Sequence, residues 1–364
     1  MENFEIRLLL QVIPMKPLDL ILDASESEKQ HIIISQFGAS LGKKSGRLVV
    51  REKGQVVTEV PFDRVEQVTV ITSGASLSTD AIEECVRHGI EINLLDFRGS
   101  PYAKLFAPGL TATVKTRREQ LLAFNDQRSI FLAKAFVRGK IQNQINTLKY
   151  FAKYRKSARQ EVYAYLQDAA LLMEKNLQEL TGIDGLNIDA VRGPLMSVEG
   201  RAATRYWDAV AFLLKGYVVF PGRENRGATD PVNSLLNYGY AVLEARVLGA
   251  VLQAGLDPYA GFLHVDRPGK TSLVYDFIEE FRQPVIDRPV LAMVIAGVEI
   301  GMEGERLADG TKRDLLERIQ QRLAATERFD GKKYPLQSIL LRQARRMASY
   351  LRGDQKYKPF VCSW

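Results

Sequence analysis

Around Pro108-Gly109 the apolar residues change their rhythm, and no other feature restricts the fold as strongly. Upstream, from His31 to about Phe106, they come in short runs cut by turn residues. "HIIIS" is one such run. "RLVVRE" and "QVVTEV" flank Lys53-Gly54, a tight-turn pair, and "QVTVIT" follows. "IEINLLD" and "PYAKLFA" are two more strands, joined by "FRGS". One helix interrupts them, "STDAIEECVRHG", with Ser78 or Thr79 at its start and Gly89 at its stop. Downstream the spacing becomes helical. The stretches are "REQLLAFNDQRSIFLAKAFVRGKIQNQINTLKYFAKY", "SVEGRAATRYWDAVAFLL", "DPVNSLLNYGYAVLEARVLGAVLQAG", "DRPVLAMVIAGV", "TKRDLLERIQQRLAATER" and the basic "LQSILLRQARRMASYLRG". The third opens at Asp230-Pro231 and closes at Gly255. The pattern predicts an α+β chain: a β-rich N-terminal domain over 28–107, then a larger all-α domain over 108–364. Residues 1–27 form an N-terminal extension of unclear role.

With 46% hydrophobic residues over 364, the chain can bury a sizeable core. Its two cysteines, Cys85 and Cys362, form no zinc or disulfide pattern, which fits a reducing compartment. No apolar run is expected to reach a membrane span, and "LLLQVI" follows Glu2 and Glu5, the wrong sign for a secretory signal. The expectation is a soluble cytoplasmic protein without a membrane partner. The net charge of +7 is unevenly spread. Residues 111–160 hold 12 Lys/Arg against 2 Asp/Glu, residues 306–364 hold 14 against 6, and the remainder is net acidic. Tyr150, Phe151 and Tyr154 lie in the first basic segment; Tyr350, Tyr357 and Phe360 lie in the second. Basic segments carrying aromatics suit a phosphate backbone. Solvated helix faces are the plainer explanation of either segment alone.

"GASLGKKSG", from Gly38, imitates a nucleotide-binding loop. That loop needs four residues between its glycines, followed by Lys and a hydroxyl residue. Here three residues separate Gly38 from Gly42, Lys44 takes the hydroxyl position, and a strand follows. The stretch reads as a strand connection. There is no G-x-S-x-G elbow or cysteine-nucleophile signal.

"FLHVDRPGKTSLVYDFIEEF" holds one of three histidines, His264. After a turn at Pro268-Gly269, Leu273, Val274, Phe277 and Phe281 trace a helical stripe that Thr271 or Ser272 caps. Asp276 and Glu279 are three apart and share a face, while Glu280 is expected to meet solvent. Glu199 stands at the expected start of another helix, aligned with Ala202, Ala203 and Tyr206. A carboxylate among such neighbours is costly to bury unless compensated. The plain reading is a helix-start charge beside a core histidine. The functional one is a divalent cation shared by Glu199, His264 and Glu279. Two carboxylates and an imidazole suit Mg²⁺ or Mn²⁺ with open water positions. An open hard-metal site beside basic surfaces points to phosphodiester chemistry. Asn233, Asn237, Tyr240 and Glu244 lie along one face of the long helix, as buried hydrogen-bonders or as supports of a site. Arg223 and Arg226 precede its start, where a phosphate is favoured.

Taken together, these residues resemble the family of CRISPR-associated endonucleases and integrases, Cas one. The resemblance is carried in order by "GIEINLLDFRGSPYAKL", "GPLMSVEGRAATRYW", "DPVNSLLNYGYAVLEA" and "FLHVDRPGKTSLVYDFIEEFRQPVIDR", with "QARRMASYLRGDQKYKPF" similar to the family's ending. It covers about residue 28 to the end. By position it implies Glu199, His264 and Glu279 as catalytic metal ligands, and Asp276 as an auxiliary acid that competes with Glu279 for the direct role. It implies a homodimer formed through the β-rich domain and a helical catalytic domain. The implied activity is metal-dependent transesterification, in which the 3′-hydroxyl of a captured double-stranded DNA fragment attacks CRISPR repeat DNA. A Cas two dimer is the implied partner. The competing expectations are a non-catalytic DNA-binding scaffold and a general metal-dependent DNase.

Overall fold

A computed structural model of the chain describes residues 30–96, 101–105, 114–225 and 227–363. The extension 1–27, the "FRGS" turn, the Pro108-Gly109 boundary and Arg226 lie outside the described residues.

The N-terminal part is built from two four-stranded sheets, where the sequence suggests one. Its strands are β1 (Gln30–Ile34), β2 (Ser40–Lys44), β3 (Arg47–Glu52), β4 (Gln55–Pro61), β5 (Val65–Val70), β6 (Ser76–Leu77), β7 (Glu91–Leu95) and β8 (Pro101–Leu105). One sheet runs β1-β5-β7-β8, with β1, β5 and β7 parallel and β8 antiparallel to β7. The other runs β4-β3-β2-β6. The stretch imitating a phosphate loop is β2 and its hairpin turn into β3. Lys53 and Gly54 both take positive φ, 50° and 80°, as a two-residue hairpin turn between β3 and β4 requires. Helix α1 (Thr79–Arg87), with Ser78 in the N-cap position, adds Ala81 and Cys85 to a core of Ile34, Leu48, Val68 and Ile92.

The rest is mostly helical: α2 (Val114–Ala123), α3 (Gln127–Lys153), α4 (Gln160–Glu179), α5 (Ile188–Leu214), α6 (Pro231–Gln253), α7 (Ser272–Ile278), α8 (Arg288–Ile295), α9 (Asp309–Ala324) and α10 (Leu336–Leu351). It is not all-α. Hairpins β9/β10 (Met302–Glu303, Arg306–Leu307) and β11/β12 (Thr326–Phe329, Lys332–Pro335) interrupt it, too short for an alternating pattern to announce them. Helix α4 is a further element beyond those expected. The long basic helical stretch is split into α2 and α3, and Asp126 caps the start of α3 by accepting the Arg128 N–H. Between α7 and α8, Gln283–Asp287 closes as a π-helical turn.

Three other expectations change. Helix α6 is long and apolar enough to span a membrane by length and composition, although the sequence reading allowed no such run. Here it packs against α7, α9 and α10 and buries Leu235, Leu243 and Val247. Phe151, Tyr357 and Phe360 are buried core residues: Phe151 lies on the inward face of α3, and the segment after α10 docks Tyr357 and Phe360 against Glu280 and Phe281. Glu280 has no exposed surface. The two parts meet at His31, whose Nδ1 lies 2.7 Å from Arg246 Nη2 on α6 and 2.9 Å from Gln320 Nε2 on α9.

Candidate active site

Helices α3, α5, α6 and α7 surround a cavity of about 970 Å³. Lys140, Glu199, Tyr240, His264, Glu279 and Arg282 all line it. Glu199 does not sit at a helix start. Helix α5 begins at Ile188 and carries Pro194 inside it, so Glu199 projects from mid-helix and has no capping role. The "GP" preceding it suggests a boundary that the helix simply continues through.

His264 is placed by backbone chemistry. After Gly255 the chain crosses from α6 toward α7, and Gly261 lies against the start of α7. A Cβ there would stand 2.7 Å from the Ser272 backbone, so only glycine permits this approach. Asp276 is buried and gathers the loop. It accepts the N–H of Phe262 at 2.6 Å and of Leu263 at 2.9 Å on Oδ2, and that of His264 at 2.9 Å on Oδ1. His264 Nδ1 is 2.7 Å from the same Oδ1. With Asp276 acting as acceptor, Nδ1 carries the proton and Nε2 presents its lone pair. The two acids of the motif are therefore divided in direction, with Asp276 turned to the loop and Glu279 to the cavity.

Glu279 follows the last residue of α7. Its Oε2 is 2.8 Å from Lys140 Nζ, and its Oε1 is 3.3 Å from Arg282 Nη1. The Lys140 contact is an ion pair, and Oε2 is buried without a hydrogen-bond partner. Burial alone would raise the Glu279 carboxyl. Arg282 and Lys140, with His264, outweigh burial and hold it down at about 2. The same Lys140 ammonium contacts Glu199 Oε1. Burial works against that ammonium too, but Glu279 and Glu199 together keep its pKa above the ordinary lysine value.

The polar face of α6 builds the opposite wall. Arg223 donates to Asn233 Oδ1 at 2.9 Å and to Asn237 Oδ1 at 2.6 Å. Its guanidinium lies over Trp207 and Tyr240, 5.8 Å and 5.3 Å from the ring centres. Asn233 is fully buried and also ties down Gly222 and Asp230, so it supports both the turn and Arg223 from behind the cavity wall. The Tyr206 and Tyr240 hydroxyls both donate to buried Asp287, whose carboxyl is pushed up by burial. Glu244, raised by burial despite a hydrogen bond from Tyr275, lines the cavity as well.

The structure thus brings Glu199, His264, Glu279, Asn237, Tyr240 and Arg223 to one cavity. Asp276 and Asn233 stand behind it, and Arg226 is outside the described residues. Lys140, Arg282 and Asp287 were missed by the sequence reading. Arg282 had a signal, its spacing three residues after Glu279. Lys140 had none, since its partners are far away in sequence.

The donor set, two carboxylates and an imidazole nitrogen, has the chemistry that Mg²⁺ or Mn²⁺ accepts. The poorly satisfied Glu279 Oε2 and the ammonium shared by both acids mark a point that favours positive charge. Among the described residues, no group of three His, Cys, Asp or Glu side chains is placed so that it could hold a metal ion, Glu199, His264 and Glu279 included.

Comparison with known proteins bears on this arrangement. The family model described as CRISPR associated protein Cas1 matches residues 32–321. A relative from Archaeoglobus fulgidus, "CRISPR-associated endonuclease Cas1 1", is 39% identical, over 92% of this chain and 99% of that protein. Among solved structures, "Casposase bound to integration product" aligns with a TM-score of 0.75 at 23% identity, over 90% of this chain and 92% of that one. "Cas6-RT-Cas1--Cas2 complex" aligns at 0.71 and 19% identity, over 92% of this chain and 36% of that one. At such identities the two structures speak for the mixed fold alone. The family model and the extent of sequence identity settle the larger question: the chain belongs to the CRISPR associated protein Cas1 family.

Proposed function

We propose that the chain is a metal-dependent DNA integrase and endonuclease of CRISPR adaptation. It would join the 3′-hydroxyl end of captured double-stranded DNA to CRISPR repeat DNA by transesterification. One observation carries the reading: Glu199 from α5 and Glu279 after α7 meet at one ammonium, on the cavity wall that also bears His264. Names borne by relatives support it, since "endonuclease" and "integration product" describe phosphodiester chemistry on nucleic acid.

In this reading Glu199, His264 Nε2 and Glu279 hold Mg²⁺ or Mn²⁺. The bound ion would supply polarisation of a phosphate oxygen and activation of the attacking hydroxyl. The chain's own groups do the rest. Asp276 fixes the His264 tautomer and ring plane. Asn237 and Asn233 hold the Arg223 guanidinium at the cavity wall, where it meets phosphate charge with Arg282. Tyr206, Tyr240 and Asp287 keep α5, α6 and the π-helical turn in register, so the acids arrive together. The partner expectations follow: a homodimer, and a Cas two dimer in keeping with the Cas1–Cas2 assembly named in one similar structure. Two buried free cysteines agree with a cytoplasmic setting.

The test is joining of a 3′-hydroxyl DNA fragment to repeat-containing DNA, with and without Mn²⁺. Wild type should join only with the metal. Glu199→Ala and His264→Ala should each lose joining by about a hundredfold or more while keeping fold and DNA affinity. Full activity in both variants would reduce the protein to a DNA-binding scaffold. Metal-dependent hydrolysis without strand joining would make it a general DNase.

A further inference from the structure

We propose that Lys140 is a positioning residue that serves as the resident counter-ion of the site. Its ammonium holds Glu199 and Glu279 to a common point and gives up that point when a divalent cation binds. The inference rests on the metal reading above and deepens it.

Two carboxylates delivered by separate helices to one small volume repel each other, and burial strengthens that repulsion. Something positive must stand between them for the helices to pack. Arg282 meets Glu279 at 3.3 Å, whereas Lys140 contacts both acids. Its side chain is 12% exposed, at the wall of a cavity with room for a longer reach. A lysine stem is flexible and its ammonium is a point charge without a preferred plane, so it can leave without moving the backbone of α3. Its hydrogen bond goes to Glu199, while Glu279 Oε2 is held as an ion pair, so one directional bond ties the ammonium to the point it would give up. An arginine fork at this place would clamp the pair instead.

A counter-ion that yields to metal makes a prediction opposite to that of a permanent scaffold. Removing it takes away a competitor and a repelling charge. Titration calorimetry should show Lys140→Met binding Mn²⁺ tighter than wild type, on the order of tenfold. The same variant should melt below wild type in EDTA and recover the difference when Mn²⁺ is added. Lys140→Gln, which keeps polar contacts without charge, should also gain Mn²⁺ affinity. Unchanged or weaker binding in both variants overturns the proposal but leaves the metal reading standing, provided wild type binds Mn²⁺ and Glu199→Ala does not. Wild type that binds no Mn²⁺, or Glu199→Ala that binds it normally, sinks both. Should neither lysine variant fold, amine acetylation of wild type decides. Lys140 labelling should rise several-fold on adding Mn²⁺, and labelling that stays flat under saturating Mn²⁺ refutes the displacement.

Discussion

Asp276 has no exposed surface, yet it accepts from three backbone N–H groups and the His264 ring. His264 itself keeps a quarter of its side chain exposed to solvent, at 25%. The two residues therefore separate structure from chemistry. In Asp276→Asn an NH₂ group would face backbone donors, leaving buried N–H groups unpaired. Stability should fall by about 3 kcal/mol, and joining should fall with it as the imidazole loses its orientation. His264→Ala should change stability by no more than about 1 kcal/mol while abolishing joining. Urea melts alongside joining assays check this, and equal stability losses in the two variants would contradict the division. From sequence these residues look alike in rank, because proximity in the motif says nothing about which one spends its oxygens on backbone.

At the scale of the element, consecutive residues at the end of α7 face opposite ways. Glu279 meets the cavity. Glu280 holds the C-terminal segment, accepting from Tyr357 Oη at 2.5 Å, Phe360 N at 2.7 Å and Gln343 Nε2 at 2.9 Å. Asn143 on α3 ties the Glu280 and Phe360 carbonyls together, and Phe360 stacks on Phe281 with ring centres 5.2 Å apart. Burial pushes the Glu280 carboxyl up to about 8, against the pull of Tyr357, the Phe360 N–H and Gln343. The folded chain thus keeps a proton that the unfolded chain releases near 4.5. Its stabilising share is complete below the unfolded value and is lost as pH rises through the folded one. Hydrogen exchange of residues 354–363, corrected for intrinsic rates, should show protection falling between about pH 4.5 and 8 and levelling off above. Glu280→Gln, neutral throughout, should flatten that slope, and an unchanged slope would point to another group.

For the whole molecule, the decisive contact is the seam between the sheets and the helices. His31 Nδ1 faces two donors, Arg246 and Gln320, so its ring proton sits on Nε2 toward Thr69 Oγ1 at 2.7 Å. Burial, then Arg246, lowers its pKa well below the ordinary histidine value of 6.5. The other charges at this seam are Glu66, paired with Arg246, and Glu91, which meets Lys104. As pH falls below 6.5 the unfolded chain takes up a proton that the seam refuses, so stability drops. Wild type should lose about 1–2 kcal/mol more than His31→Gln between about pH 7 and 5. Parallel thermal melts of both proteins read this directly, and identical losses would clear His31 of the effect.

By itself the sequence determined the order of sheets before helices, the turns at Lys53-Gly54 and Gly255, and the acids and histidine on which a family reading rests. These are local properties: periodicity, turn geometry and motif spacing act within a few residues. Only the tertiary structure decided that Asp276 supports while Glu279 faces the cavity, that Glu280 is buried, and that Lys140 joins Glu199 to Glu279. Charge compensation depends on distance in space rather than along the chain. A lysine in one helix can meet acids from two others only after their apolar faces have packed.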